Sequence, residues 1–501
     1  MLSNILIYFV VIPVLMLAGV ALCRNIKQIR AVAVIGSLAL TALSVYLLID
    51  YLAIRATGVA DPMLYVQSVS WFEPLNINLS VGVDGISIAM IILSAIILLT
   101  GSFASWKIEQ PKAFFLWLIL LSTGVFGFFI SIDLFTMFMF YEVALIPMYL
   151  LIGVWGSGKK EYSAMKLTLM LMGGSAFLML GLIGIYYHSA PEGGQLTWNI
   201  LEIVKNDSIS KGWQTFLFPM TFVGFGVLGA MFPFHTWSPD GHASAPTAVS
   251  MLHAGVLMKL GGYGCFRVAI YLMPYAANEL AWIFLILTGV SVVYGAFSAC
   301  VQTDLKYINA YSSVSHCGLV LFAILMLNTT AMTGAIMQML SHGLMTALFF
   351  ALIGMIYGRT HTRDIRLMGG LMKIMPFLCV CYVIAGMASL GLPGLSGFVA
   401  EMTIFIGSFE HSDMFHRVFT IMACCSIVIT AVYILRVVGK ILFGPVQDEH
   451  HLSLTDATWW ERTSTVTLII CVAAIGCFPN FFAELIRFTF SSEIFTVIGM
   501  K

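Results

Sequence analysis

Long uninterrupted runs of apolar residues, separated by short polar segments, recur from the beginning of the chain to about Phe488. Runs such as 86–102 and 168–187 are apolar at both odd and even positions, which excludes the strict alternation of a membrane β-barrel. Each run approaches the roughly 20 residues of helix that cross a bilayer, and we count about fourteen such runs. The pattern therefore predicts an all-α polytopic membrane protein.

The composition agrees with this prediction and excludes several function classes. Of the 501 residues, 60% are hydrophobic and only 10% are charged, far outside the range of soluble domains. The formal net charge is zero and no basic tract is present, so a nucleic-acid partner is not expected. The longest outer connections, 50–83 and 187–212, are too short for a soluble catalytic domain. We therefore expect any substrate redox chemistry to lie on other subunits.

The distribution of basic residues predicts the orientation in the membrane. The first apolar run has no preceding basic residue and is followed by Arg24, Lys27 and Arg30, which is typical of a retained helix with an outer N-terminus. An even number of helices then returns the C-terminus to the outer side. With this orientation most lysines and arginines lie in inner loops. The outer loops hold only Arg55, Lys205, Lys211, Arg417, Arg487 and Lys501.

The ten cysteines form no CxxC motif and fall mainly within apolar runs, which is typical of small packing residues. We expect no metal and no cofactor in this chain. Histidines on separate helices can also ligate haem, and His316 and His342 are the candidates for that alternative. Lysine and glutamate predicted at the same depth favour protons over iron.

Several ionisable residues lie deep inside the apolar runs, where charge is costly and survives mainly along ion paths. A single carboxyl can instead be held by a helix–helix hydrogen bond, and a single histidine can be a packing residue. Lys306 can form a loop ion pair with Asp304 or lie at the inner mouth of a path. The candidates are Glu142, Lys259, His316, His342 and Glu401, with His253 and Lys306 nearby.

Two apolar segments contain glycine and proline where a helix would cross the middle of the membrane. The first is 229–233, ahead of His235, and the second is 391–397, ahead of Glu401. Each predicts a broken helix, because proline and glycine free backbone groups that neighbours or water must satisfy. Either break alone could be a packing kink. Two breaks, each near an ionisable residue, favour a path and an inverted repeat.

Four motifs carry a resemblance that covers nearly the whole chain. They are FYEVALIPMY at 140–149, PFHTWSPDGHASAPT at 233–247, AYSSVSH at 310–316 and GLPG at 391–394. With them the sequence resembles the antiporter-like subunits of respiratory complex I, NADH-quinone oxidoreductase. In that family the second broken helix has glutamate in the M subunit and lysine in the L and N subunits and in cation/proton antiporters. Glu401 therefore indicates the M type.

The resemblance implies two inverted five-helix repeats, each with one broken helix. The expected units are 1–110 with helices 1–3, 111–275 as the first repeat, 276–442 as the second, and 443–501 as an inner loop and last helix. It also implies proton translocation driven by electron transfer from NADH to quinone. FMN and iron–sulfur clusters would lie in other subunits of the complex. L-like and N-like subunits would flank this chain on either side. The complex would lie in a bacterial inner membrane.

The resemblance also implies roles for individual residues. Glu142 would be the coupling glutamate, Lys259 the central lysine, His316 and His342 links in the second half, and Glu401 the terminal proton donor. A translocase of this kind would have no redox centre of its own.

One position departs from the family pattern. The lysine expected five residues before Pro233 is replaced by Leu228. Either His253 substitutes for that lysine, or the first half of the path is altered. His253 lies six residues before Lys259, roughly 240° around a helix, and so on a different face. The alternatives to the M-type function are a cation/proton antiporter subunit and a structural membrane-arm subunit.

Overall fold

The computed structural model describes residues 4–490 of the chain, and the positions of Lys501 and of the C-terminus lie outside the described residues. Nearly all of the regular structure is helical, as predicted. Two strands form a hairpin, β1 (Leu64–Phe72) and β2 (Ile77–Val83). The helices are α1 (Tyr8–Leu22), α2 (Ile26–Ala56), α3 (Gly85–Ala104), α4 (Pro111–Ile130), α5 (Leu134–Trp155), α6 (Lys160–Tyr187), α7 (Ile200–Asn206), α8 (Lys211–Leu228), α9 (Trp237–Ser244), α10 (Thr247–Leu252), α11 (Met258–Gly264), α12 (Pro274–Val301), α13 (Leu305–Leu325), α14 (Thr329–Thr360), α15 (Pro376–Ser389), α16 (Ser396–Phe409), α17 (Met414–Leu442), α18 (Trp459–Cys477) and α19 (Pro479–Phe490).

Within residues 4–490, eleven helices are long and apolar enough to cross a membrane. The predicted count of about fourteen stays a prediction, because the remaining candidates are two segments interrupted by loops and one helix with π-helical turns, rather than uniform α-helices. They are α8 with α9, the segment 247–270, and α15 with α16. Helices α13 and α14 are almost entirely buried, whereas α1, α2, α17 and α18 expose much of their surface. The centre of the protein is therefore formed by α13 and α14.

The first predicted break separates α8 from α9. Ala230 has a positive φ of 54°, which turns the chain away from the helix axis. The carbonyls of the last turn are not left unpaired, because Ala230 N donates to Val227 O at 3.1 Å and Met231 N donates to Gly226 O at 2.9 Å. The indole Nε1 of Trp237 reaches back to Val227 O at 3.0 Å. The break is thus a hydrogen-bonded structure rather than a simple kink.

The second predicted break separates α15 from α16. Gly391 and Gly394 both have positive φ, 67° and 94°, a conformation that favours glycine. The amide N atoms of Gly391 and Leu392 donate to Ala388 O and Met387 O at 3.3 and 3.1 Å. A Cβ on Gly476 of α18 would lie 2.4 Å from Gly394 O, so α18 packs closely against this break.

The segment 247–270 is one continuous helix that contains two π-helical turns. They are His253–Leu257 and Cys265–Ile270, and they flank α11, which carries Lys259. Such turns widen a helix locally and are common at functional sites. They also shift the faces on which later residues lie, so the spacing of an ideal α-helix does not apply between His253 and Lys259.

The connections before α3 and between α6 and α8 form a small cap that our sequence analysis did not predict. In the hairpin, β1 and β2 pair antiparallel around Asn76, which has a left-handed conformation. Asn76 Nδ2 donates to Leu196 O at 2.8 Å, which joins the hairpin to the second outer connection. Asp133 caps α5 and also accepts from Asn78 N at 3.2 Å. Burial raises the pKa of the Asp133 carboxyl to about 6.

Candidate functional site

Lys259 lies at the centre of the molecule, and its side chain is buried. Its ammonium Nζ lies 2.5 Å from Ala254 O and 2.8 Å from Nδ1 of His342 on α14. An ammonium can only donate, so when Lys259 is charged His342 accepts through Nδ1. These contacts satisfy the lysine inside the protein, and its side chain does not extend to a membrane surface.

His342 on α14, which contacts Lys259, also contacts the ring of His316 on α13. Their ring centroids are 5.1 Å apart with an interplanar angle of 30°, and both side chains are buried. Cys317 Sγ lies 3.9 Å from His342 Nδ1 on the same side as Lys259. Stacked rings do not direct nitrogens at a common point between them, so this arrangement does not fit two axial haem ligands.

His316 in turn contacts the carboxylate of Glu401 on α16. The distance from His316 Nδ1 to Glu401 Oε1 is 3.5 Å, and the same nitrogen lies 3.1 Å from Gln338 Nε2. The other ring nitrogen, Nε2, lies 3.5 Å from Ser389 Oγ at the end of α15. Glu401 is only 6% exposed. A carboxylate so deeply buried is costly unless it is paired, and His316 pairs with it when the imidazole is protonated.

The second break makes room for this carboxylate. A Cβ on Gly391 would lie 3.0 Å from Glu401 Oε2, closer than ordinary van der Waals contact. Glycine at 391 therefore has two physical reasons, its positive φ and the space it leaves beside Glu401.

Four of the predicted residues thus form one continuous buried chain, Lys259–His342–His316–Glu401, contributed by α11, α14, α13 and α16. Beside Lys259 lies a small cavity of about 10 Å³, enough for roughly one water molecule. We call these four residues the central chain. Their arrangement permits a proton to pass between adjacent acids and bases without leaving the protein interior.

Glu142 does not belong to the central chain. It lies on α5, is half-buried, and its Oε1 has no hydrogen-bond partner among the residues that the structure describes. Leu228, at the end of α8, occupies the position where the resemblance leads one to expect a lysine, and it is buried. The structure therefore shows no cation at 228 to pair with Glu142.

His253 lies beside Leu228. Both residues line a second cavity of about 10 Å³, together with Tyr141, which precedes Glu142 on α5. The His253 ring stacks on His242, with centroids 4.2 Å apart, and on Trp237, with centroids 5.2 Å apart. The next residue on α8, Gly229, instead lines the cavity beside Lys259. The end of α8 thus lies between His253 and the central chain.

Lys306 lies at the inner end of α13 and is buried. Its Nζ donates to Ala245 O at 2.6 Å, just after α9. The considered side-chain ion pair between Lys306 and Asp304 is wrong, because Asp304 caps α13 and pairs with Arg363 at 3.1 Å. That Lys306 lies at the inner mouth of a path stays a prediction.

Comparison with known proteins identifies the family. A family model described as "NADH:quinone oxidoreductase/Mrp antiporter, TM" matches residues 131–430. The chain belongs to the NADH:quinone oxidoreductase/Mrp antiporter family. The matched residues contain all of the predicted site residues and both breaks.

Two relatives in this family are similar over most of their length. NADH-quinone oxidoreductase subunit M of Rickettsia bellii is 34% identical over 91% of this chain and 90% of that protein. NAD(P)H-quinone oxidoreductase chain 4-2 of Synechocystis sp. is 36% identical over 83% of this chain and 74% of that protein. A solved structure, "Respiratory complex I from Thermus thermophilus with bound NADH", contains a chain with a TM-score of 0.88, 23% identity and coverage of 99% of this chain and 100% of that one. That structural match shows a shared fold.

In this member of the NADH:quinone oxidoreductase/Mrp antiporter family, sequence reasoning missed two features. Gln338 bridges to His316, but nothing distinguishes one amide in an apolar helix from a packing residue. Arg267 forms a fully buried ion pair with Asp84, which caps α3. The signal for that pair was an arginine within an apolar run and an aspartate directly after a strand.

A further cluster lies at the start of α17, where His411, Asp413 and His416 bring their ligand atoms within 4.8 Å of one another. Asp413 caps α17, accepting from His416 N at 3.0 Å. This backbone hydrogen bond lowers the pKa of Asp413 to about 2. Internal hydrogen bonds account for the cluster, since His411 Nε2 also lies 2.7 Å from Met326 O.

Proposed function

We propose that this chain is a proton-translocating membrane-arm subunit of an NADH:quinone oxidoreductase, of the M type. The observation that carries the proposal is the central chain Lys259–His342–His316–Glu401, with each residue within contact distance of the next. The full-length similarity to a protein named NADH-quinone oxidoreductase subunit M supports the assignment. In enzymatic terms the chain is the non-redox, translocating part of that complex.

The central chain acts as follows. Lys259 carries a proton as an ammonium and donates toward Nδ1 of His342. A neutral imidazole accepts a proton on one ring nitrogen and releases one from the other, so the His342 and His316 pair carries charge without moving the backbone. Glu401 receives the proton from His316 and releases it. Glu142, half-buried on α5, senses charge in the neighbouring subunit.

External driving is required, because moving a proton outward costs about 2.3 kcal/mol per 100 mV of membrane potential. We infer that electron transfer in other subunits, which would carry FMN and iron–sulfur clusters, provides it. L-like and N-like subunits would flank this chain. The complex would lie in a bacterial inner membrane, with both termini of this chain on the outer side.

The test measures proton uptake and NADH oxidation together in inverted membrane vesicles. Lys259→Met and Glu401→Gln each remove one member of the central chain and should reduce proton uptake about tenfold or more. The matched controls are Lys205→Met and Glu279→Gln, which change exposed residues. Proton uptake that stays at the wild-type level in both central variants would contradict the proposal.

Two alternative functions are each supported by a specific observation. The family name also covers Mrp antiporters, and an antiporter subunit would exchange cations for protons without NADH oxidation. Glu401 argues against an antiporter subunit, because the resemblance implies lysine at this position in cation/proton antiporters. Transport that continues after NADH oxidation is blocked would favour it.

A structural subunit with an inactive first half is favoured by the apolar surroundings of Leu228. Such a subunit would keep the membrane arm continuous without moving protons itself. Lys259→Met and Glu401→Gln would then leave the number of protons per electron unchanged.

A further inference from the structure

Gln338 on α14 is a polar neighbour of the central chain that the proposed transfer steps do not use. It is only 2% exposed, and its amide Nε2 lies 3.1 Å from Nδ1 of His316. It lies one helical turn before His342, so both side chains are on the same face of α14. Its Oε1 is buried and has no hydrogen-bond partner among the described residues. One end of the amide is thus bound to His316 and the other end is unused.

A buried amide with an unused end is unfavourable. The unpaired oxygen gives up the hydrogen bonds that it would make in water, and native proteins contain few such groups. A second buried glutamine, Gln214, uses both ends of its amide. Its Nε2 donates to Ile209 O at 3.0 Å, and its Oε1 accepts from Tyr275 N at 3.1 Å. A single fixed contact with His316 therefore does not explain the amide at 338.

The contact with Gln338 also determines the tautomer of the His316 ring. An amide N–H can only donate, so Nδ1 accepts and the neutral ring carries its proton on Nε2, 3.5 Å from Ser389 Oγ. When His316 is protonated, Nδ1 also carries a hydrogen and requires an acceptor instead. A half-turn of the Gln338 amide brings its unused oxygen to the place of the nitrogen. The amide can therefore bind Nδ1 in either charge state of the ring.

The backbone around Gln338 is held against α16, so the side-chain amide is the part that can respond. On one side, Ser341 Oγ donates to Ser396 Oγ at the start of α16 at 2.7 Å. On the other side, a Cβ on Gly334 would lie 2.6 Å from Ile404 N, which shows how closely α14 and α16 pack. Rotation of a terminal amide requires no movement of either helix.

We propose that Gln338 is a positioning residue for proton transfer from His316 to Glu401, binding the neutral ring through its amide N–H and the protonated ring through its amide oxygen. This inference rests on the proposed function. In the transfer, the Nδ1–H bond of His316 breaks and an O–H bond forms on the Glu401 carboxylate, which lies 3.5 Å away. The freed Nδ1 again accepts from Gln338 Nε2. Because one amide binds Nδ1 before and after the transfer, the ring keeps its orientation toward Glu401.

The experiment uses the intact complex in inverted vesicles and measures proton uptake per NADH oxidised. Gln338→Met has a side chain of similar size without the amide, and it should lower this ratio at least about threefold, a small part of what positioned proton-transfer groups contribute. The matched control is Gln214→Met, which removes a buried amide whose two ends have fixed partners. It should leave proton uptake per NADH unchanged in the assembled complex.

Gln338→Glu separates this role from simple packing. A protonated carboxyl has one donor and one acceptor, as the role requires, whereas a carboxylate can only accept. Gln338→Glu should therefore recover uptake at the acidic end of the measured pH range and lose it, relative to wild type at the same pH, as its carboxyl ionises. The titratable groups around His316 are Glu401, His342 and, beyond it, Lys259, and comparison with wild type at each pH accounts for their titration. A packing role would give the same ratio to wild type at every pH.

The outcomes distinguish this inference from the proposed function. Wild-type uptake in Gln338→Met, with uptake lost in Glu401→Gln, overturns the role of Gln338 and leaves the proposed function standing. Wild-type uptake in Glu401→Gln and Lys259→Met as well removes the proposed function itself. Gln338→Glu with no more uptake than Gln338→Met at any pH also overturns the inference. If Gln338→Met does not assemble, Gln338→Asn provides the same test, since it keeps the amide but withdraws it from His316 by one methylene.

Discussion

At the residue scale, Gly391 connects backbone conformation to the chemistry of the central chain. Its φ of 67° is strained for any residue with a Cβ, and the missing side chain leaves space at Glu401 Oε2. A substitution here therefore acts on stability and on the carboxylate at the same time. The two effects can be separated, because Gly394 also has a positive φ but has no atom beside the position of an added Cβ.

We predict that Gly391→Ala lowers the free energy of unfolding by about 1 kcal/mol and reduces proton uptake severalfold. The loss of stability comes from the positive φ, and the loss of uptake comes from the new methyl group pressing on Glu401. Thermal unfolding of the purified complex measures the first effect, and proton uptake in vesicles measures the second.

Gly394→Ala is the matched control. Its φ of 94° is equally unfavourable for alanine, but no atom lies within 4 Å of the added Cβ. It should lower stability by a similar amount with proton uptake retained. Equal losses of uptake in both variants would show that strain in the break, and not contact with Glu401, is responsible.

Residue type alone allowed much of the site to be predicted. Lys259, His316, His342 and Glu401 stand out because ionisable groups are rare in apolar helices, and the structure brings these four together. Gln338 could not be found in this way. The substitution of His253 for the lysine expected at 228 stays a prediction; the ideal-helix spacing that argued against it does not apply across the π-helical turn, and His253 lines one cavity with Leu228.

At the scale of elements, the outer cap depends on Asp133, which joins α5 to the hairpin. Burial raises its pKa to about 6, above the roughly 3.9 of an exposed aspartate. Between these two values the folded state binds more protons than the unfolded state. The free energy of unfolding therefore falls as the pH rises from about 4 to 6.

We predict that Asp133→Asn removes this pH dependence, worth about 1–3 kcal/mol across the window, because asparagine does not titrate and still caps a helix. The measurement is the melting temperature of the purified protein from pH 4 to 7. Asp413→Asn is the control: the pKa of Asp413 is lowered to about 2, so its contribution is lost only as the pH falls below about 4. A wild-type melting temperature that rises between pH 4 and 6 would contradict the role assigned to Asp133.

Some elements were predictable from the sequence and others were not. Glycine and proline marked both breaks, since few residues other than these interrupt a membrane helix. The hairpin was missed because β1 is mostly exposed and its alternation of apolar and polar residues is weak beside the long apolar runs. The number of spans could not be settled from hydrophobic runs, because the loops that interrupt α8–α9 and α15–α16 are themselves mostly glycine, proline and apolar residues and do not show as gaps in the hydrophobic pattern.

At the scale of the whole molecule, buried polar contacts join parts that are distant in sequence. The central chain joins α11 to α13, α14 and α16, and Asp240 of α9 accepts from both Lys166 at 2.6 Å and Tyr307 at 3.0 Å. The pair of Asp84 with Arg267 does the same at the start of α3, which it holds against the segment 247–270. These contacts set the positions of the helices that carry the central chain.

The Asp84–Arg267 pair tests whether this arrangement depends on buried charge. Both side chains are at most 2% exposed, so Arg267→Met leaves an unpaired buried carboxylate and should cost about 3–5 kcal/mol. Adding Asp84→Asn removes that charge and keeps the helix cap to Ser87 N, so the double variant should be more stable than Arg267→Met alone. Arg366→Met is the control, since its pair with Asp364 is exposed to solvent and should contribute little to stability. The melting temperatures of wild type, Arg267→Met, Asp84→Asn and the double variant decide between the possibilities. Additive losses in the double variant would mean that the two residues act independently, and α3 and 247–270 would then be held together at this point by apolar packing alone.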